Sequence, residues 1–273
     1  MFSLGRSIDL NYPSNRLLVT YVSFLAVVMS IYFGNILNGL FAAFGFFLCW
    51  ALTREIDPSH DKSAFVSSII FIVASLFIFD GIQFLVLFYL LLSMRLISKI
   101  CGKVPNLSDV SFILILASYL AYSLNTPVFL LLALLMSIIA WIRYDKANIF
   151  KVSIIISILL TITFSFLTRF NVSDFALNII NEQGYLFIVG LILVIVLLTF
   201  IQIKNLDQQQ YLDDDLGGKI ECKWIKLATM YYSLSIVLIM LLVSVSYSTV
   251  LILISVLIGV SLYRNFGLKA NIK

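Results

Sequence analysis

One short stretch of this sequence concentrates the residue types that can do chemistry. Within eight residues it holds three carboxylates, an arginine and the only histidine of the chain. These residues are Arg54, Glu55, Asp57, His60 and Asp61. Carboxylates and a histidine could hold a divalent cation, and Arg54 could pair with a phosphate group. At a membrane surface this chemistry would suit a lipid phosphate, whose headgroup lies at that depth.

A solvated loop of mixed charge, with a turn at Asp57-Pro58, is the alternative interpretation of the same stretch. The stretch matches no metal or phosphate motif of defined spacing, so the sequence assigns no metal site, cofactor or catalytic residue. If a site forms here, Glu55 and Asp61 would converge across the turn. Arg54, at the preceding helix end, would then receive an anionic headgroup.

Two further polar segments are weaker candidates. Arg95 and Asp109 flank a loop in which Asp109 is placed to cap the next helix. The alternative is that both residues lie beside the first stretch and complete a polar pocket. The run Asp213-Asp214-Asp215 is interpreted as solvated, because three adjacent aspartates cannot all face one ion on a regular helix.

The composition identifies the kind of scaffold that must position these residues. Of 273 residues, 62% are hydrophobic and only 12% are charged, whereas globular chains average about 45–50% and about 25%. This balance excludes a soluble enzyme, a disordered chain, a disulfide-stapled secreted module and a typical nucleic-acid binder. An integral membrane protein that crosses the bilayer many times remains.

The apolar blocks predict an all-α, polytopic transmembrane helix bundle of about ten spans. Two blocks have the length of one span, and four are long enough for two helices joined by a tight turn. The single blocks are 147–168 and 185–203, and the double blocks are 17–53, 63–94, 110–142 and 227–263. Each double block contains a break of turn-forming residues, at Gly34-Asn35, Asp80-Gly81, Asn125-Thr126-Pro127 and Ser246 to Thr249. The second and third hairpins are short for two full spans, so eight spans with one re-entrant hairpin is the alternative.

The basic residues predict the orientation. If the N-terminus is cytoplasmic, 17 of the 18 lysines and arginines fall on the inside, and only Arg169 lies outside. Both termini are therefore expected in the cytoplasm of a cell whose plasma or inner membrane holds the chain.

The whole chain, 1–273, is expected to be a single membrane domain. Residues 1–16 would form a cytoplasmic N-terminal segment, and 204–226 a cytoplasmic loop too short for a separate soluble domain. The segment 169–184 is expected outside, as an interfacial amphipathic helix or as a plain polar loop.

The predicted spans carry no ionisable residue near their middle, and all four prolines fall in connections. Intramembrane charges mark proton relays and ion pathways, so their absence from the sequence argues against a proton pump or a voltage sensor. The sparse glycines, without a GxxxG pair, indicate helices that pack through Leu, Ile and Phe.

Three functions from different classes agree with this layout. A small-molecule permease or exporter is typical of ten spans, a membrane-embedded enzyme could act on a lipid phosphate at the cytoplasmic interface, and an accessory or scaffolding subunit would explain the featureless interior. The expected partners are the lipid bilayer, a small-molecule or lipid substrate and other membrane proteins, but no nucleic acid.

Overall fold

A computed structural model of the chain describes residues 3–5, 10–145, 147–168, 182–206, 211–213 and 219–267. These residues contain ten α-helices and one two-stranded antiparallel hairpin. The helices are α1 (Pro13–Phe33), α2 (Ile36–Ile56), α3 (Asp61–Ser75), α4 (Phe84–Ser98), α5 (Leu107–Ser123), α6 (Val128–Arg143), α7 (Asn148–Thr168), α8 (Glu182–Leu206), α9 (Cys222–Leu242) and α10 (Tyr247–Leu262). Strands β1 (Tyr211–Asp213) and β2 (Lys219–Glu221) precede α9, and one π-helical turn, Tyr263–Gly267, follows α10. The external segment predicted at 169–184 lies outside the described residues up to 181.

The apolar helices indicate a membrane protein, and the prediction of an all-α scaffold is confirmed. Helices α1, α2, α7, α9 and α10 are long and apolar enough to cross a membrane. Helices α3 to α6 have 15 to 17 residues, so they measure about 22–26 Å against a hydrocarbon core of about 30 Å. The number of spans therefore stays a prediction.

Local turn chemistry explains most of the helix ends. Gly34 ends α1 with a left-handed backbone (φ 61°), which glycine adopts without strain. The Asn35 side chain then accepts a 2.8 Å hydrogen bond from the backbone N–H of Leu37 and caps α2. At the last hairpin, the Ser246 side chain caps α10 by accepting from the N–H of Thr249.

The break predicted at Asp80-Gly81 is wider in the structure, since α3 ends at Ser75 and α4 begins at Phe84. Asp80 explains the difference. Its carboxylate accepts hydrogen bonds from the backbone N–H groups of Tyr247 (2.8 Å) and Ser248 (2.9 Å) at the start of α10. The chain stays non-helical here and reaches across to the last hairpin.

Small residues make the closest helix contacts, which corrects the expectation of packing through Leu, Ile and Phe alone. A Cβ atom at Gly259 of α10 would lie 2.5 Å from the Cα of Ser67 in α3, and one at Gly39 would lie 2.5 Å from the Cα of Ser30 in α1. Backbones that approach this closely gain van der Waals contact, the main source of helix association where lipid surrounds the helices. Sequence spacing missed these contacts because each joins a glycine to a serine on another helix.

Large apolar side chains cover the outside of the bundle. In α1 only Leu18 and Met29 are buried, while Ile31 is 77% exposed. Phe166 of α7 is 82% exposed. Exposed apolar faces of this extent indicate contact with the lipid bilayer.

We expect Gly259→Ala to lower the thermal stability of the purified protein, by about 1–3 kcal/mol, because the new methyl group must push α10 away from the α3 backbone. Gly190→Ala is the matched control, since a Cβ at Gly190 in α8 meets no atom within 4 Å. The control should be neutral or slightly stabilising. Equal melting temperatures for the two variants in detergent would contradict the close packing of α10 on α3.

Candidate functional site

The alternating direction of the helices brings the polar stretches of the sequence to one end of the bundle. Contacts join the C-terminal ends of α2, α4, α6, α8 and α10 to each other and to the N-terminal ends of α3, α5, α7 and α9. We call this end the polar end. All seven residues singled out in the sequence, Arg54, Glu55, Asp57, His60, Asp61, Arg95 and Asp109, lie here.

Asp57 forms the centre of one half of the polar end. Its side chain is fully buried, and its Oδ1 accepts a 2.8 Å hydrogen bond from Nη2 of Arg264 just beyond α10. Nδ1 of His60 lies 2.9 Å from the same oxygen. This pair joins the end of α2 to the end of α10 across 207 positions of sequence.

The environment of Asp57 keeps it ionised. Burial by itself would raise the pKa of this carboxyl, but the hydrogen bond from His60 and the charge and hydrogen bond of Arg264 outweigh it. The pKa therefore falls from its usual 3.8 to about 2. The second oxygen, Oδ2, is buried without a hydrogen-bond partner among the described residues.

Arg54 and Asp61 form an ion pair beside Asp57, across the turn that contains Pro58. The side chain of Arg54 is 9% exposed and that of Asp61 is 27% exposed. The charge of Arg54 is therefore already balanced by a carboxylate.

Glu55 binds a different arginine. Its Oε1 accepts a 2.9 Å hydrogen bond from Nε of Arg95 at the end of α4, and its Oε2 lies 3.3 Å from the hydroxyl of Ser98. Glu55 and Asp61, which were expected to converge, thus engage separate cations. Glu55 is 1% exposed and Asp57 is 0% exposed, so the solvated-loop interpretation does not hold for either residue.

Asp109 joins this half of the polar end through the N-terminal segment. Its Oδ2 accepts a 2.7 Å hydrogen bond from the N–H of Asn106. Asn106 is the N-cap of α5, and Asp109 completes a capping box from the third helical position and is not the cap itself. Its Oδ1 accepts a 2.9 Å bond from the N–H of Ser3, and the next residue, Leu4, accepts one from Nη1 of Arg95 (3.1 Å). Arg95 and Asp109 therefore do lie together, bridged by Ser3 and Leu4.

Sequence reasoning missed Arg264, Ser3 and Leu4 as parts of this network. A signal for Arg264 was present, since the four hairpins end in Arg54, Arg95, Arg143 and Arg264. From the sequence, the tendency of cytoplasmic helix ends to carry arginine would be enough to explain that recurrence. The structure shows that each arginine also contacts another element of the polar end.

Metal binding finds no support in the part of the chain that the structure describes, which holds no group of three or more His, Cys, Asp or Glu side chains suited to an ion. Asp213 of the acidic run lies in β1 and pairs in register with Lys219, while Asp214 and Asp215 fall outside the described residues.

A groove adjoins the polar end on the outside of the bundle. Its deeper part, of about 400 Å³ between α1, α2 and α3, is lined by apolar side chains that include Tyr21, Phe24 and Ile69. Its outer part, of about 350 Å³, is lined by Ser14, Asp61 and Lys62 among others. Leu17 and Phe65 line both parts, so the two are continuous.

No protein-family model matches the chain, and neither does any curated protein or solved structure compared with it. Function is therefore inferred from the residues themselves.

The low pKa of Asp57 predicts a pH-dependent stability. Because its pKa is lower in the folded protein, the ionised group stabilises the fold fully above about pH 4, by about 2 kcal/mol, and this contribution declines as the pH falls towards 2. Asp57→Asn should therefore melt well below the unmodified protein at pH 7, and the gap should narrow below pH 4. Asp145→Asn, at an exposed carboxyl of the same end, is the control. If the difference in melting temperature between Asp57→Asn and the unmodified protein in detergent stays the same from pH 7 to pH 3, the lowered pKa of Asp57 is contradicted.

Proposed function

We propose that the chain is a permease-type protein of the cytoplasmic membrane that takes an anionic, single-chain amphiphile from the cytoplasmic leaflet. In this proposal the ten helices are ten spans, both termini are cytoplasmic, and the polar end faces the cytoplasm. The observation that carries it is the largely apolar groove, which runs from an outer part bordered by Asp61 and Lys62 to a floor between α1, α2 and α3.

The apolar part of the groove suits a hydrocarbon chain. Aromatic side chains line both walls, with Tyr21 and Phe24 on α1 and Phe65 on α3. A site of about 400 Å³ falls within the range of small-molecule pockets. Polar groups are nearly absent from its described lining, so a polar solute would lose its hydration there without compensation.

The mouth of the groove suits an anionic headgroup. Asp61 is paired with Arg54. Lys62 is exposed and makes no ion pair with any described residue. Lys62 is then the uncompensated charge at the mouth, and it favours a negative partner.

The length of the groove favours a ligand that occupies one leaflet. From Asp61 to Val73 the groove follows α3 for twelve residues, which is about 18 Å of helix. Half of a hydrocarbon core of about 30 Å is about 15 Å. A single chain with its headgroup at the polar end fits this depth.

A lipid-phosphate enzyme is less well supported, because the carboxylates that would act as acid and base are held in ion pairs. Glu55 and Asp57 are buried against Arg95 and Arg264. To act as acid or base, either carboxylate would have to be protonated. Protonation would break its buried ion pair, which costs about 3–5 kcal/mol. If the groove binds no ligand, an accessory or scaffolding subunit is the function that remains.

The proposed orientation predicts the reactivity of single cysteines in intact cells. The three native cysteines are buried, and they are replaced first. A membrane-impermeant thiol reagent added outside should label Asn125→Cys in the α5–α6 turn and should not label Lys151→Cys or Lys62→Cys. If Lys151→Cys and Lys62→Cys are labelled in intact cells, the orientation is the reverse of the proposed one.

The groove is tested by measuring how tightly the purified protein binds a spin-labelled lysophosphatidylglycerol. Ile69→Trp should fill the apolar floor and weaken binding about tenfold, because a bulky ring occupies the path of the chain, and Lys62→Gln should weaken it several-fold. Ile115→Trp is the matched control, since Ile115 is similarly exposed on α5, away from the groove. Equal binding by the two tryptophan variants, or no binding by the unmodified protein, would refute the amphiphile proposal.

A further inference from the structure

A second concavity at the polar end has the opposite character, because it is small, polar and basic. It measures about 190 Å³ and lies where the ends of α4 and α6 meet the β1–β2 hairpin and the start of α9. We call it the basic pocket. Its polar lining consists of Lys99, Arg143, Tyr144, Lys219, Glu221 and Trp224. It shares no lining residue with the groove along α1 and α3.

The charges around the basic pocket do not balance. Among the described residues, the cations that line it are Lys99, Arg143 and Lys219, and the one carboxylate is that of Glu221. That carboxylate is itself paired with Lys223 outside the pocket. The pocket therefore presents a net positive potential to whatever enters it.

Arg143 is held in place by neighbours that leave most of its hydrogen-bonding capacity unused. Its Nη1 donates to the carbonyl oxygen of Ile97 in the last turn of α4, and its Cζ lies 5.0 Å from the ring centre of Trp224. A guanidinium has five N–H donors, and the described residues occupy one of them. A fixed guanidinium with open donors recognises phosphate and carboxylate geometry.

Lys99 is positioned by an uncommon backbone conformation. It follows α4 with a left-handed backbone, at φ 55°, which few residues other than glycine and asparagine adopt. The carbonyl ends of α4 and α6 also point towards this region and oppose an anion there. The three cations and the N-terminal end of α9 act in the opposite sense and attract an anion.

We propose that the basic pocket binds a phosphate group. Its volume is below the range of about 300–1,000 Å³ that holds drug-sized ligands, so it fits a phosphate and its ester oxygen better than a whole metabolite. Basic pockets between membrane helices on the cytoplasmic side bind lipid headgroups by this chemistry. The phosphate comes either from a membrane phospholipid or from a soluble phosphate ester.

The experiment uses the purified full-length protein and two probes, inorganic phosphate in detergent and phosphatidic acid in mixed micelles. Binding is measured from the shift of the melting temperature with probe concentration, and sodium chloride at matched ionic strength corrects for screening. The double variant Lys99→Asn, Lys219→Gln removes two of the three cations, and asparagine tolerates the left-handed backbone at position 99.

At least one probe should bind the unmodified protein, and its Kd should rise about tenfold or more in the double variant. Lys151→Gln, which neutralises an exposed cation of α7 outside the pocket, should leave the Kd within about twofold. Glu221→Gln should tighten binding several-fold, because it removes the one carboxylate that lines the pocket among the described residues. Binding of phosphatidic acid alone identifies a lipid headgroup as the source, and binding of inorganic phosphate identifies a soluble one.

The proposal is overturned if neither probe stabilises the protein more than matched chloride does. It is also overturned if the double variant binds as tightly as the unmodified protein. Should the double variant fail to fold, Glu221→Gln decides alone, and an unchanged Kd in that variant counts against the pocket.

Discussion

The buried ion pair between Asp57 and Arg264 is the interaction on which the rest of the bundle depends. In lipid, apolar helices gain little from touching each other rather than the acyl chains, so the hydrophobic effect alone does not select their partners. A buried carboxylate and a buried guanidinium do select each other, because either charge strongly destabilises the fold when it is buried without the other. This pair fixes α2 beside the end of α10, and the pairs of Arg54 and Arg95 then fix α3 and α4 on the same framework.

Both candidate binding surfaces border this framework without using its buried charges. The groove begins at Asp61, whose charge is taken up by Arg54, and leaves Lys62 facing the mouth. The basic pocket is built around Arg143, which among the described residues contacts a carbonyl oxygen and two aromatic rings but forms no ion pair. The same residue type therefore stabilises the fold where it pairs with a carboxylate and, in our proposal, binds a ligand where it does not.

The sequence predicts those parts of the fold that depend on neighbours in the chain. Long apolar runs and residues such as Gly34, Asn35 and Ser246 determine helices and turns locally, and the structure has all three in these roles. The partner of Asp57 could not be predicted, because it lies 207 positions away and any cytoplasmic arginine would have satisfied the same charge pattern. Likewise, Ser67 and Gly259 form no spacing motif, and only the fold shows that one fits against the other.

The two ends of the bundle are held by different kinds of interaction. The end opposite the ion pairs is joined by hydrogen bonds such as those from Tyr247 and Ser248 to the exposed Asp80. Hydrogen bonds to a charged acceptor such as this carboxylate contribute about 1.5–3 kcal/mol each, and removing one partner of a buried charge pair costs about 3–5 kcal/mol. Loss of Asp80 would remove one bridge between two hairpins, whereas loss of Asp57 would leave an unpaired guanidinium buried in the bundle. A change of charge therefore reaches solvent at the Asp80 end and stays buried at the arginine-rich end.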